Sequence, residues 1–180
     1  MACPVKITAG ACGVPVFQFE RIRCRDGCAA LRGLRPDVCV TAAFGQILSQ
    51  KILDVPRLGT VNLHASLLPA HRGAAPIQWS ILMGDKVTGV TTMLTDAGLD
   101  TGDMLLRRET EIGAGETAGE LTRRLAAMGA ELLVETLARL EAGDIVPQPQ
   151  DESQATYEPM LSKEMAQIDW ERPAVDVDRM

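Results

Sequence analysis

Two apolar runs constrain this chain more than anything else in it. "VCVTAAF" (Val38 to Phe44) is apolar with almost no alternation, and "GTVNLHAS" (Gly59 to Ser66) follows after a short helical stretch. Such a run suits a strand covered on both faces, the habit of parallel sheets flanked by helices. "TGVTTMLTD" (Thr88 to Asp96) and Met104 to Ile112 supply two further strands, and "GVPVFQF" (Gly13 to Phe19) reads as a short one after a glycine turn. Helical segments lie between them. "DGCAALRGLRPD" (Asp26 to Asp37) is stopped by Pro36, "QILSQKIL" (Gln46 to Leu53) follows Gly45, and "APIQWSILMG" (Ala75 to Gly84) has Pro76 in its first turn. This alternation predicts an α/β fold built on an open, mostly parallel sheet.

The clearest helix spans about Thr117 to Glu141. Thr117 and Glu120 have capping-box spacing, so hydroxyl and carboxylate can each satisfy a free backbone N–H. Leu121, Leu125, Met128, Leu132, Leu133, Leu137 and Leu140 form one apolar stripe, and Gly143 follows the last turn. That stripe is core. Beyond Ile145 the pattern fades into "VPQPQDESQATYEPML", polar and broken by proline, which reads as loop or linker. The domain expectation is therefore one folded domain over 1–144 and a loop or linker over 145–180.

Aromatic residues are only 3% of the chain, so Leu, Val, Ile, Ala and Met must fill the core. No apolar run approaches the ~18 residues of a membrane helix. The start, "MACPVKITAG", has no basic region followed by an apolar block. Five cysteines occur without a CxxC pair, and both histidines lie downstream of them. Free thiols in a reducing cytoplasm fit better than a disulfide framework or a zinc site. The net charge of −6 makes the chain a poor stand-alone binder of nucleic acid, since phosphate affinity comes from Lys and Arg. Its one basic cluster is Arg21, Arg23, Arg25, Arg32 and Arg35, which reads as a solvated helix face.

Both histidines fall in "TVNLHASLLPAHRGAAP" (Thr60 to Pro76). Asn62 and His64 are two apart on a strand and share a face. An amide can donate to an oxyanion, and an imidazole can donate or shuttle a proton near neutral pH. In open α/β sheets ligands sit at the carboxyl ends of strands, where this pair lies. A second stretch, "TDAGLDTGDMLL" (Thr95 to Leu106), places Asp96, Asp100 and Asp103 in a glycine-rich loop between strands. A calcium loop is excluded, because no glutamate stands at the required offset and no helices flank it. A carboxylate held there can orient a histidine. On spacing alone, a structural pair and a solvated turn remain open alternatives.

"VNLHASLLPAHRGAAPIQWSILMGD", "TGVTTMLTDAGLDTGDMLL" and "LSKEMAQIDW" together resemble the methionyl-tRNA formyltransferases, over about Pro4 to Asp169. The Asn-x-His-x-Ser-Leu-Leu-Pro run marks folate-dependent formyltransferases as a class; "GLDTGDM" with "IDW" is more particular to the tRNA branch. The resemblance implies a partial Rossmann-like catalytic domain that moves a formyl group from 10-formyltetrahydrofolate to the amine of initiator methionyl-tRNA, in translation initiation. It places the catalytic asparagine, histidine and aspartate on Asn62, His64 and Asp100. The tetrahydrofolate-contacting run falls on Ser66, Leu67, Leu68 and Pro69. Backbone near Phe44–Leu48 and the Asp96–Asp100 loop are implied to help line the pterin pocket. No metal is implied.

The family's opening strand, loop and helix have no match here, and its barrel-like C-terminal domain would follow the last residue. The expectation is a catalytic centre lacking its first strand-helix portion and most of its tRNA-binding surface, with weak tRNA affinity and an exposed sheet edge. Two alternatives accompany it: an inactive folate-binding fragment, and a related formyltransferase acting on a sugar or purine-precursor amine.

Overall fold

The computed structural model describes residues 3–180. The expected domain 1–144 therefore begins with two residues, Met1 and Ala2, outside the described part. The elements run α1 (Pro4–Ala11), α2 (Arg25–Leu34), β1 (Cys39–Ala42), α3 (Gln50–Leu53), β2 (Thr60–His64), β3 (Arg72–Gly73), α4 (Pro76–Leu82), β4 (Val87–Leu94), β5 (Met104–Glu111), α5 (Ala118–Ala142), β6 (Tyr157–Glu158) and α6 (Ala174–Asp178), with 3-10 turns at Glu152–Gln154 and Lys163–Ala166. The main sheet has the order β1-β2-β4-β5.

The α/β class holds, and strand direction follows connection length. The link from β1 to β2 contains α3 and is long enough for a crossover, so these strands pair parallel, Cys39 opposite Thr60 through Ala42 opposite Leu63. Residues 95–103 join β4 to β5 without a helix. That loop is too short for a crossover, and the pair is antiparallel. β2 and β4 are antiparallel as well, with His64 opposite Thr91. The expected mostly parallel sheet is thus realised at β1–β2, while β4 and β5 make a hairpin.

α5 covers one face of this sheet. Its capping box forms as expected: Thr117 Oγ1 accepts from the Glu120 N–H at 3.3 Å, and Glu120 Oε2 accepts from the Thr117 N–H at 3.0 Å. Gly143 ends the helix in the left-handed region. Leu121, Leu125 and Leu132 are fully buried against Val90, with Leu63, Ile77, Ile81 and Leu106 packed around them. Each such leucine contributes roughly 2 kcal/mol by burial. Two positions of the buried stripe are not leucines. A Cβ on Gly129 would stand 2.7 Å from the Leu63 side chain, so glycine lets α5 approach β2. Thr136 is buried and hydrogen-bonds Thr92 across the interface at 2.8 Å.

Three expectations give way. Gly13 to Phe19 forms no strand; it is irregular and largely exposed, with no neighbour to complete a ladder. β1 is not covered on both faces: it is the edge strand among the described residues, and Val40 is 42% exposed. The helix read over Gln46 to Leu53 contracts to Gln50–Leu53, because Gly45 adopts φ +67° and the chain stays irregular to Ser49.

The segment 145–180 carries little regular structure, yet its first part is bonded to the domain. Met104 and Gln148 exchange backbone hydrogen bonds at 2.8 Å, and β6 pairs in parallel with β3. The contacts of the domain therefore continue past residue 144, through the Trp79 indole N–H donating to the Pro159 carbonyl at 2.8 Å and as far as Arg179 against Gly84. The five cysteines are free thiols. Among the described residues no helix is long and apolar enough to cross a membrane.

Candidate active site

On β2 the strand alternation sends Leu63 towards α5 and leaves Asn62 and His64 on the opposite face. Thr41 stands opposite Asn62 across the parallel ladder, and its hydroxyl donates to Asn62 Oδ1 at 2.9 Å. With its oxygen so occupied, the amide turns its NH2 group outwards as a donor. Sequence reasoning missed Thr41, although it lies within the run that forms β1.

His64 is buried, 6% exposed. Its Nε2 stands 2.8 Å from the carbonyl oxygen of His71. A carbonyl can only accept, so Nε2 carries the proton and donates. Nδ1 is then the free ring nitrogen, 3.7 Å from Asp100 Oδ2. That distance exceeds hydrogen-bond length, so the two groups are neighbours without a direct bond, and a polar atom to one side could reach both. The expected orienting role of Asp100 towards His64 is thus filled by the His71 carbonyl. Asp100 itself, at φ +54°, accepts the Gly73 N–H on Oδ2 at 2.9 Å. Gly73 is required at its place: φ is +97°, and a Cβ would lie 2.6 Å from the Glu158 carbonyl oxygen.

The three residues named from sequence come from β2 and from the loop after β4, and the structure brings His64 and Asp100 together. The run Ser66 to Pro69 behaves differently. Ser66 is fully buried, and its hydroxyl donates to the Ala70 carbonyl at 2.6 Å. Leu68 is buried as well. Thr91 Oγ1 accepts the Leu68 N–H at 3.2 Å and donates to the Ser66 carbonyl at 2.7 Å. These side chains clamp the loop to β4, so Leu67 and Pro69, which are half-buried, are the members open to a neighbour. The Leu68–Pro69 peptide is cis.

Two apolar side chains are exposed on the loops that follow β1 and β4. Phe44, in the loop following β1, is 45% exposed, and Leu99, next to Asp100, is 60% exposed. Asp96 is absorbed within its own loop, accepting from Thr101 Oγ1 at 2.8 Å and from the Gly98 N–H at 3.0 Å. The arginines of the basic cluster are solvated, as expected, and two of them, Arg32 and Arg35, join Lys51 and Arg57 around a cleft of about 470 Å³. None of Asn62, His64 and Asp100 lines that cleft.

His71 stands in the turn between His64 and β3. Besides its carbonyl, its ring lies between two carboxylates, Asp85 Oδ2 at 2.7 Å and Glu158 Oε1 at 3.1 Å. This pins the turn that holds His64.

Comparison with known proteins places the chain in a family. The "Formyl transferase" family model matches residues 6–137. A methionyl-tRNA formyltransferase of Solibacter usitatus is 56% identical over 98% of this chain and 57% of its own length. The chain spans about half the length of the curated relatives it matches. Among solved structures, the formyltransferase PseJ of Anoxybacillus kamchatkensis, in complex with a UDP-linked formamido sugar and tetrahydrofolate, aligns with a TM-score of 0.69 at 25% identity, over 86% of this chain and 79% of that one. A sugar N-formyltransferase from a Shewanella species aligns with a TM-score of 0.77 at 20% identity, over 96% of this chain and 68% of its own. With the match running through β1, β2, the Asn62–His64 strand end and the Asp100 loop, the chain belongs to the formyl transferase family.

Proposed function

We propose that this chain carries the catalytic centre of a methionyl-tRNA formyltransferase, moving a formyl group from 10-formyltetrahydrofolate to the amine of initiator methionyl-tRNA. The observation that carries the reading is the approach of His64 Nδ1 to Asp100 Oδ2 beside an Asn62 amide whose donor end is free. The 56% identity to a protein of that name favours the tRNA acceptor.

The chemistry follows from those atoms. The neutral amine attacks the formyl carbon, and the carbonyl oxygen gains negative charge. The Asn62 NH2 and, when protonated, the Nδ1–H of His64 donate to that oxygen. Removing one such donor typically costs about 3–4 kcal/mol in barrier height. As the intermediate collapses, the bond from carbon to the folate N10 breaks. Asp100 takes the proton lost by the amine and returns one to N10, directly or through water. Leu67, Pro69, Phe44 and Leu99 offer apolar contact to the flat pterin; Ser66 and Leu68 support that surface from behind. No step calls for a metal ion.

With a net charge of −6, the chain alone binds tRNA weakly in this reading. A dissociation constant below micromolar at physiological salt, in filter binding, contradicts that part.

The test is formyl transfer from 10-formyltetrahydrofolate to initiator methionyl-tRNA by the wild type and by Asn62→Ala, His64→Ala and Asp100→Ala. Losses of about 100-fold or more are expected in each. Near-normal transfer by all three refutes the assignment. A second reading, transfer to a sugar amine, draws on the likeness to PseJ; turnover with a nucleotide-linked amino sugar and none with methionyl-tRNA selects it. Folate binding by calorimetry without turnover on either acceptor selects an inactive folate-binding module.

A further inference from the structure

Asp100 adopts a backbone conformation that non-glycine residues seldom hold, and it does so where the proposed chemistry needs a placed carboxylate. Something outside its own loop must maintain it. The Gln150 side chain, 9% exposed, donates both amide hydrogens into that loop, to the Asp100 carbonyl at 2.8 Å and the Gly102 carbonyl at 2.7 Å. Its own oxygen accepts from Arg72 Nε at 2.9 Å. Arginine has donors only, so this contact fixes which end of the amide faces the loop.

Arg72 has no exposed side-chain surface. Its guanidinium grips Glu152 through two bonds, of 2.9 and 2.7 Å, and donates to the Tyr157 hydroxyl at 2.6 Å. The next residue, Gly73, donates its N–H to the Asp100 carboxylate. Asp100 is therefore held at two points, its backbone by Gln150 and its side chain by Gly73, and both lead back to Arg72–Gly73 on β3. β3 in turn is secured by β6, through the Arg72 N–H to the Thr156 carbonyl at 2.9 Å and the Ala74 N–H to the Glu158 carbonyl at 3.1 Å.

We propose that Gln150 and Arg72 are positioning residues for the Asp100 carboxylate, so that residues 148–158 form a strap that completes the catalytic site. The proposal rests on the reading of Asp100 as the site carboxylate. It gives residues that follow the long helix α5 in the chain a part in the reaction. Neither side chain touches substrate in this scheme; each acts through the geometry of Asp100.

Gln150→Glu is the discriminating variant. An ionised carboxylate still pairs with Arg72, so the strap and the β3–β6 ladder stay in place. It has no hydrogen to give the Asp100 and Gly102 carbonyls. Amide hydrogen exchange of the full chain, followed by NMR, reads the result without reference to activity. The Gly73 amide, bonded to Asp100, is expected to exchange about tenfold faster in Gln150→Glu. The Arg72 and Ala74 amides, bonded to the strap, keep their protection. Arg72→Lys, a charge without the fork, is expected to speed exchange at Gly73 too. In formyl transfer, Gln150→Glu is expected to lower kcat about tenfold while KM for the folate donor stays within about twofold. An unchanged Gly73 amide in Gln150→Glu overturns the proposal, as does loss of protection at Arg72 and Ala74 together with Gly73, which marks a merely structural strap. If the wild type itself transfers no formyl group, the functional reading fails, and the exchange data still decide the positioning role.

Discussion

The polar contact between Thr92 and Thr136 offers a sharp test of how α5 is held on the sheet that carries the site. The two hydroxyl oxygens are 2.8 Å apart, and both side chains are fully buried. Thr136 donates its hydrogen to the Leu132 carbonyl at 2.7 Å, so Thr92 is the donor between the pair. Thr92 Oγ1 also accepts the Leu106 N–H at 3.1 Å, beside the point where the β4–β5 register slips. The two residues therefore carry unequal loads. Thr136→Val removes the shared bond and the bond to the Leu132 carbonyl, but that carbonyl keeps its bond within the helix and the Thr92 hydroxyl can turn to the Leu106 carbonyl, 3.3 Å away; the loss is about 1 kcal/mol. Thr92→Val removes both the shared bond and the acceptor for Leu106, a loss of about 2 kcal/mol. The double variant loses about 2 rather than 3 kcal/mol, because the shared bond disappears only once. Urea denaturation followed by circular dichroism measures this. With a slope of about 2 kcal/mol per molar, the midpoints fall by about 0.5 M for Thr136→Val and 1 M for Thr92→Val. Equal losses, or full additivity in the double variant, refute the hydrogen-bond assignment.

Two further outcomes follow from the structure. Thr41→Val frees the Asn62 amide to rotate; kcat for formyl transfer is expected to fall about 3–10-fold with KM unchanged, and the substitution should have no effect in an Asn62→Ala background, as steady-state kinetics on the four proteins will read. Arg124 pairs with Glu116 through two bonds, of 3.0 and 2.8 Å, and holds its carboxyl below the ordinary 4.5. A depressed folded value stabilises the fold fully above 4.5, and that contribution is lost as pH falls through the folded value. Thermal melts of wild type and Glu116→Gln should therefore differ at neutral pH and converge in acid; a constant difference across that range contradicts the pairing.

α5 and the strands β2, β4 and β5 were legible because their signals are local. Capping-box spacing, a leucine stripe and a terminal glycine need no partner to be recognised. Asn62, His64 and Asp100 could be named as candidates because they sit in short, motif-like stretches that carry the resemblance. The sequence did not show how they are held. Thr41 looks like any strand residue, and its value comes from facing Asn62 across a parallel ladder. Gln150 lies in a polar, proline-broken stretch that reads as linker. Only the fold brings it to the Asp100 carbonyl, which is 50 residues away in the chain. Gly13 to Phe19 shows the reverse case: β-branched and aromatic residues suit a strand, yet a strand exists only where a neighbour completes its hydrogen bonds.

The sequence by itself determined the elements whose stability is local, the apolar face they bury, and the chemical types gathered near the end of β2. The tertiary structure alone decided which strands lie side by side, the tautomer of His64 through the His71 carbonyl, and the holding of Asp100 from two sides. The physical reason is range. Periodicity and capping act within a few residues, whereas a hydrogen bond between β3 and β6 or between Gln150 and Asp100 exists only after the chain has closed long loops, and no local pattern encodes that closure.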